Sequence, residues 1–202
     1  MTTHVATIGF APHSGWAAVV VLGGPPAKPL VLARSRVEMA DPADPKSRQP
    51  YHTVEPLGVE EAARRLDAYR RVADGMAYKA IQALTRDLSA HGYRAASAGI
   101  LESSGRKGSA LAAILASHAL IHTADGDHFR AALAAAAEEN GLTVSRVGAR
   151  DLDARAEVRL GRPASRLRDD VKEMGRQVGP PWGADQKMAA LLAWMLLAEA
   201  RR

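Results

Sequence analysis

Glu102 closes an apolar run, Asp185 heads the last amphipathic segment, and His13 lies in the turn after the first apolar run. Two carboxylates and an imidazole are groups that hold a divalent cation or pass a proton, although Lys187 close to Asp185 would make a Mg²⁺ site weak. His13 serves as ligand or base in that reading, and as a loop imidazole bonded to backbone in the plainer one. His118 and His122 stand four residues apart on one helix face, the spacing of a transition-metal pair that needs a third ligand such as Asp125 or His128. Without a His-Glu pattern beside them, a core-facing or capping role competes. Ser103, Ser104 and Ser117 have no evident His-Asp support.

The cations form two groups. Arg106 and Lys107 lie in Gly105-Arg106-Lys107-Gly108, a turn before a helix that would offer amides and charge to a phosphate without P-loop spacing. Arg159, Arg162, Arg166 and Arg168 cluster around Gly161-Arg162-Pro163. With 27 Lys and Arg against 22 Asp and Glu the formal charge is +5, which favours an anionic partner; a merely solvated Arg-rich surface is the bland alternative. The absence of cysteine excludes disulfides, thiolate metal sites and cysteine nucleophiles. No charged-plus-apolar leader and no apolar run of membrane-spanning length is evident, so a cytoplasmic protein with no membrane partner is expected.

Positioning these residues requires a sheet. Val5–Phe10 and Trp16–Leu22 are two buried-strand runs joined by Pro12-His13-Ser14-Gly15, and Leu30–Met39 alternates as a third strand. Residues 40–56 carry four prolines and read as an irregular surface excursion, in which Tyr51 and His52 either cover a site or simply face solvent. The apolar spacing from Val59 to Ala90 predicts one long helix, with Gly75 a point of bending. A fourth strand ends at Leu101-Glu102. Helices over Ser109–Ile121 and Asp127–Glu139 are expected to break at Thr123–Gly126, where Thr123 or Asp125 would cap the second. Leu142–Val147 predicts a fifth strand, residues 150–180 a basic helical segment, and Asp185 onward the last helix, all within a single domain over 1–202.

This order of three antiparallel strands, then βαβ, flanked by helices, resembles the ribonuclease H-like fold, an α/β architecture on a five-stranded mixed sheet. Within it, Ile8-Gly9-Phe10-Ala11-Pro12-His13 stands where RuvC-like enzymes carry Ile-Gly-Ile-Asp-Pro-Gly, Leu101-Glu102 resembles their strand-four ending, and Ala184-Asp185 resembles the start of their last helix. The resemblance implies a metal-dependent nuclease site of four carboxylates, because two ions about 4 Å apart need several anionic oxygens. Glu102 and Asp185 match that set; Ala11 and Met188 stand at the other two positions and cannot ligate.

Three functions follow as expectations. The first is a RuvC-like protein of degenerate site, binding nucleic acid with weak or no cleavage, with Mg²⁺ or Mn²⁺ held weakly at Glu102 and Asp185. The second is an active metal-dependent nuclease rebuilt from Glu102, Asp185 and His13. The third is a module whose cleft, lined by Trp16, Trp182 and histidines, takes a small ligand or a protein, a homodimer being one allowed assembly.

Overall fold

The computed structural model describes residues 4–103 and 108–200. Strand β1 (His4–His13) turns back through Ser14-Gly15 into β2 (Trp16–Gly23), and β3 (Leu30–Glu38) extends the meander. Gly15 sits at φ +83°, a region open to glycine, and its Cβ would meet that of Ala40. The sheet order is β3-β2-β1-β4-β5, with β4 (Tyr93–Glu102) and β5 (Thr143–Gly148) both parallel. β1 is therefore the inner strand at which antiparallel pairing gives way to parallel, as suits a hairpin followed by a crossover. It runs three residues further than its apolar pattern suggests, because Ala11, Pro12 and His13 continue the pairing to Ala18, Ala17 and Trp16.

The two faces have different covers. Ile8, Phe10, Val19, Ala98 and Ile100 point to α2 (Val59–Ala90) and α4 (His118–Glu139), where Ala77, Ile81, Phe129 and Leu133 meet them. Ala11, Val20, Leu101 and Val147 point to α7 (Ala184–Glu199), flanked by α5 (Leu152–Leu160) and α6 (Ala164–Val178). Residues 189–197 of α7 are buried on every side, as expected for an apolar helix laid across a sheet between two other helices. α2 runs unbroken through Gly75 and stops at His91-Gly92, with Gly92 at φ +80°.

Two expectations are corrected. Residues 40–56 are ordered: a 3₁₀ turn (Pro45–Arg48) leads into α1 (Pro50–Val54), with Ser47, Pro50 and Val54 buried. Prolines here start short helices, since Pro needs no N–H at a first helical position. The helical break falls at Ala116-Ser117, after α3 (Leu111–Leu115), and α4 runs straight through Thr123–Gly126. Neither residue expected as a cap is free to act as one. Thr123 Oγ1 donates to the Ala119 carbonyl at 3.1 Å within the helix, and Asp125 is 1% exposed, accepting from Tyr51 N–H at 2.7 Å and pairing with His52.

His128, also on α4, is buried against Tyr51 and Phe129, and its Nε2 has no hydrogen-bond partner. Burial, with Arg70 adding to it, lowers its pKa to about 4. The unfolded chain therefore binds a proton near pH 6.5 that the native protein refuses until about pH 4. Stability from this group is full above 6.5 and falls by about 3 kcal/mol as pH drops to 4. Urea midpoints measured between pH 7 and 4 should fall less steeply for His128→Gln than for the wild type. Equal slopes would refute this account.

Candidate functional site

The carboxyl edge of the parallel strands is where such sheets place ligands. There the head of α7 meets the β1–β2 turn. Gln186 Oε1 accepts the Gly183 N–H at 2.9 Å and closes the helix start, so Asp185 is released from capping. Asp185 instead pairs with His13, Oδ1 to Nε2 at 3.0 Å, in the first turn where the helix dipole favours an anion. The His13 ring stacks on Trp16 with centroids 4.3 Å apart and planes 10° apart, and the Arg36 guanidinium lies 3.9 Å from the Trp16 ring centroid. His13 is thus a carboxylate's partner rather than a loop imidazole bonded to backbone.

Glu102 has a different neighbourhood. Ala98 and Ile100 face α2 and α4 while Leu101 faces α7, and Glu102 follows them as the last residue of β4. It is 9% exposed and accepts from Arg146 Nη1 at 2.7 Å. The cation against Glu102 thus includes Arg146 of β5, and the partner of Asp185 is His13; Lys187 takes neither place. Arg146 was legible as a lone cation in the fifth strand, one residue from the apolar Val147.

A cavity of about 440 Å³ opens at this edge, lined by Pro12, His13, Ser103, His122 and Arg130 among others. Arg130 is anchored by its Nε–H to the Leu101 carbonyl at 3.0 Å. A second cavity, about 460 Å³, lies on the α7 side, between the chain leaving β5, α6 and the head of α7. Arg150, Arg168, Lys172 and Lys187 line it together with Asp153 and Asp169.

The basic segment is less free than its composition suggests. Arg159 pairs with Glu199 at 3.3 Å, Arg162 with Asp170 at 2.7 Å and Arg168 with Asp153 at 2.9 Å. Arg166 is exposed and has no ion pair among the described residues. Arg150 and Lys172 fall within the basic segment 150–180 that the sequence predicts but are not singled out there; Arg150 lies two residues after β5, where a βα loop meets a ligand. Arg106 and Lys107 lie outside the described residues.

His118 and His122 do face one another, Nε2 to Nε2 at 3.0 Å. Their third neighbour is His52 of α1, in place of Asp125 or His128: Asp125 sits behind His52, and His128 is buried elsewhere on the helix.

No protein-family model and no curated protein sequence matches the chain. Its fold does have solved relatives. The structure described as T. thermophilus RuvC in complex with Holliday junction substrate superposes with a TM-score of 0.55 over 98% of this chain and 96% of that one, at 15% identity. The fold is RuvC-like and ribonuclease H-like. A Thermus thermophilus RuvC structure, 17% identical over 97% of this chain and 95% of that one, gives a TM-score of 0.49. In this RuvC-like frame Ala11 is 3% exposed, and Met188 packs against the apolar cluster that holds Ala11, Leu101 and Leu191. Among the described residues no helix is long and apolar enough to cross a membrane.

Proposed function

We propose that this protein binds nucleic acid on a RuvC-like scaffold without efficient two-metal phosphodiester cleavage. The observation that carries the reading is the cavity at the head of α7, with Arg150, Arg168, Lys172 and Lys187 against two acids, on a fold shared with a RuvC solved on a Holliday junction. Four cations around one concave surface draw phosphates by charge and by counterion release, and need no base contacts to do so. The exposed ion pairs of α5 and α6 are cheap to open, so Arg162 and Arg168 can exchange a carboxylate for a phosphate.

A pair of Mg²⁺ or Mn²⁺ ions does not fit the groups present. Two of the four positions are the apolar Ala11 and Met188, Asp185 is held by His13, and Glu102 engages Arg146. What supports binding without cleavage is this donor set.

The test is fluorescence anisotropy with a four-way junction, a duplex and a single strand over a salt series. Affinity should fall steeply with salt, log K against log[salt] losing about 0.9 per phosphate contacted on duplex. Replacing Lys172 or Lys187 by Ala should weaken binding to all three and flatten the slope by about one contact each. Binding that ignores salt, or variants that bind like the wild type, would overturn the reading.

A further inference from the structure

The three histidines at the α1–α4 contact have an arrangement that nucleic-acid binding does not explain. His52, His118 and His122 bring one nitrogen each within 4.8 Å of the other two. Their rings meet edge-on rather than stacked: 81° between His118 and His122, 66° between His52 and His122, and 87° between His52 and His118. The crossed rings keep the three nitrogens near enough to one another to share a single ion. In a tetrahedral zinc site with Zn–N near 2.0–2.1 Å, two ligand nitrogens stand about 3.3 Å apart. The 3.0 Å between the His118 and His122 nitrogens needs only a few tenths of an ångström of opening.

His52 is the better prepared of the three. Its Nδ1 is hydrogen-bonded to Asp125 Oδ2 at 2.5 Å, which leaves Nε2 as the nitrogen free to ligate. Asp125 is itself fixed, 1% exposed, by the Tyr51 N–H at 2.7 Å. A buried carboxylate behind a ligating imidazole sets the tautomer and raises the basicity of the ligand. The 3₁₀ turn and α1 thus deliver His52 to a helix face on which a histidine pair is already spaced one turn apart.

We propose that His52, His118 and His122 form a site for a zinc-class divalent ion, with Asp125 as the positioning residue behind His52. Three imidazoles and no thiolate suit zinc, nickel, copper or cobalt and give no advantage to Mg²⁺ or Ca²⁺. No further His, Asp or Glu joins the group among the described residues, so the fourth position is open to water or an added anion. His122 also lines the cavity shared with His13, which gives that position a route to the carboxyl edge of the sheet. The ion would tie α1 to α4 by coordination bonds, beside the hydrogen bonds that Tyr51 and His52 already make to Asp125.

The experiment is calorimetric titration of the untagged full chain with Zn²⁺, repeated with Mg²⁺ and with the variants His118→Ala/His122→Ala and Asp125→Asn. Both alanine positions are exposed, so the double variant should fold, and its circular dichroism and unfolding midpoint without metal check that. The wild type should take up one equivalent of Zn²⁺ and show no competition from Mg²⁺. The double variant should bind at least about a hundredfold more weakly, and Asp125→Asn about ten- to a hundredfold more weakly. Zinc should raise the unfolding midpoint of the wild type and leave that of the double variant unchanged. No uptake by the wild type, or equal affinity in the double variant, overturns the proposal.

Discussion

Mixed with Mg²⁺ or Mn²⁺ and a four-way junction or single strand, the protein should cleave at least about a thousandfold more slowly than a RuvC-like site with its four carboxylates. Phosphoryl transfer gets most of its barrier reduction from fixed charge, and the strand-one carboxylate is placed to hold both ions in register. Here that position is Ala11, 3% exposed in an apolar cluster that Met188 covers. A factor of a thousand corresponds to about 4 kcal/mol of lost transition-state stabilisation, a modest figure for an ion pair that is not assembled. The same geometry predicts what restores a site. Ala11→Asp with Met188→Asp would put two carboxylates beside Asp185 on the α7 side. That double variant should be less stable than the wild type without metal, because it buries charge, and should gain a Mg²⁺-dependent rise in unfolding midpoint that the wild type lacks. Turnover by the wild type at ordinary enzyme rates, abolished by Glu102→Ala, would move the assignment to an active nuclease.

Much of this was legible in the residues. The hairpin, the third strand, the long helix and the two later strands declare themselves by period, because each buries one face or both against a neighbour. The candidate site was only half legible. Asp185 and His13 come together, since one opens α7 and the other ends β1 at the same edge of the sheet. Glu102 is 9% exposed and engaged by Arg146, a partner from β5 that nothing in the local sequence of β4 announces. Arg150 and Lys172 were legible only as members of a basic segment, and the role of Arg146 not at all, because nothing local marks which cation will face a cavity or a carboxylate. The histidine site was hidden for a further reason. His118 and His122 carry a recognisable spacing, but His52 arrives from a proline-rich stretch more than sixty residues earlier, and Asp125 resembles a helix cap until its tertiary partners are known.

Gly9→Ala should be the most destabilising single-methyl change in the molecule, costing more than about 4 kcal/mol or preventing folding. A Cβ built at Gly9 would lie 1.9 Å from the Ala189 carbonyl oxygen and 3.1 Å from the Ala193 amide nitrogen, both backbone atoms of α7. Ordinary contact begins near 3.4 Å, so the helix would have to lift by about 1.5 Å, and a helix backbone cannot rotate away as a side chain can. Lifting it breaks the buried bond from Thr7 Oγ1 to the Ala193 carbonyl at 2.7 Å and opens the packing of Leu192, Trp194 and Leu196. Two controls separate this from a general intolerance of alanine. Gly99 pairs with Gly9 in the sheet, but the nearest atoms to its Cβ would be those of the Leu192 side chain, which has other rotamers; Gly99→Ala should cost about 1 to 3 kcal/mol. Gly75, mid-helix in α2 with open space around it, should gain about 0.5 to 1 kcal/mol as alanine. Urea midpoints of the three variants should therefore fall in the order Gly75→Ala, wild type, Gly99→Ala, Gly9→Ala. A Gly9→Ala protein as stable as the wild type would mean that α7 does not lie on β1 at this distance, and with it the placement of Asp185 beside His13 would fail.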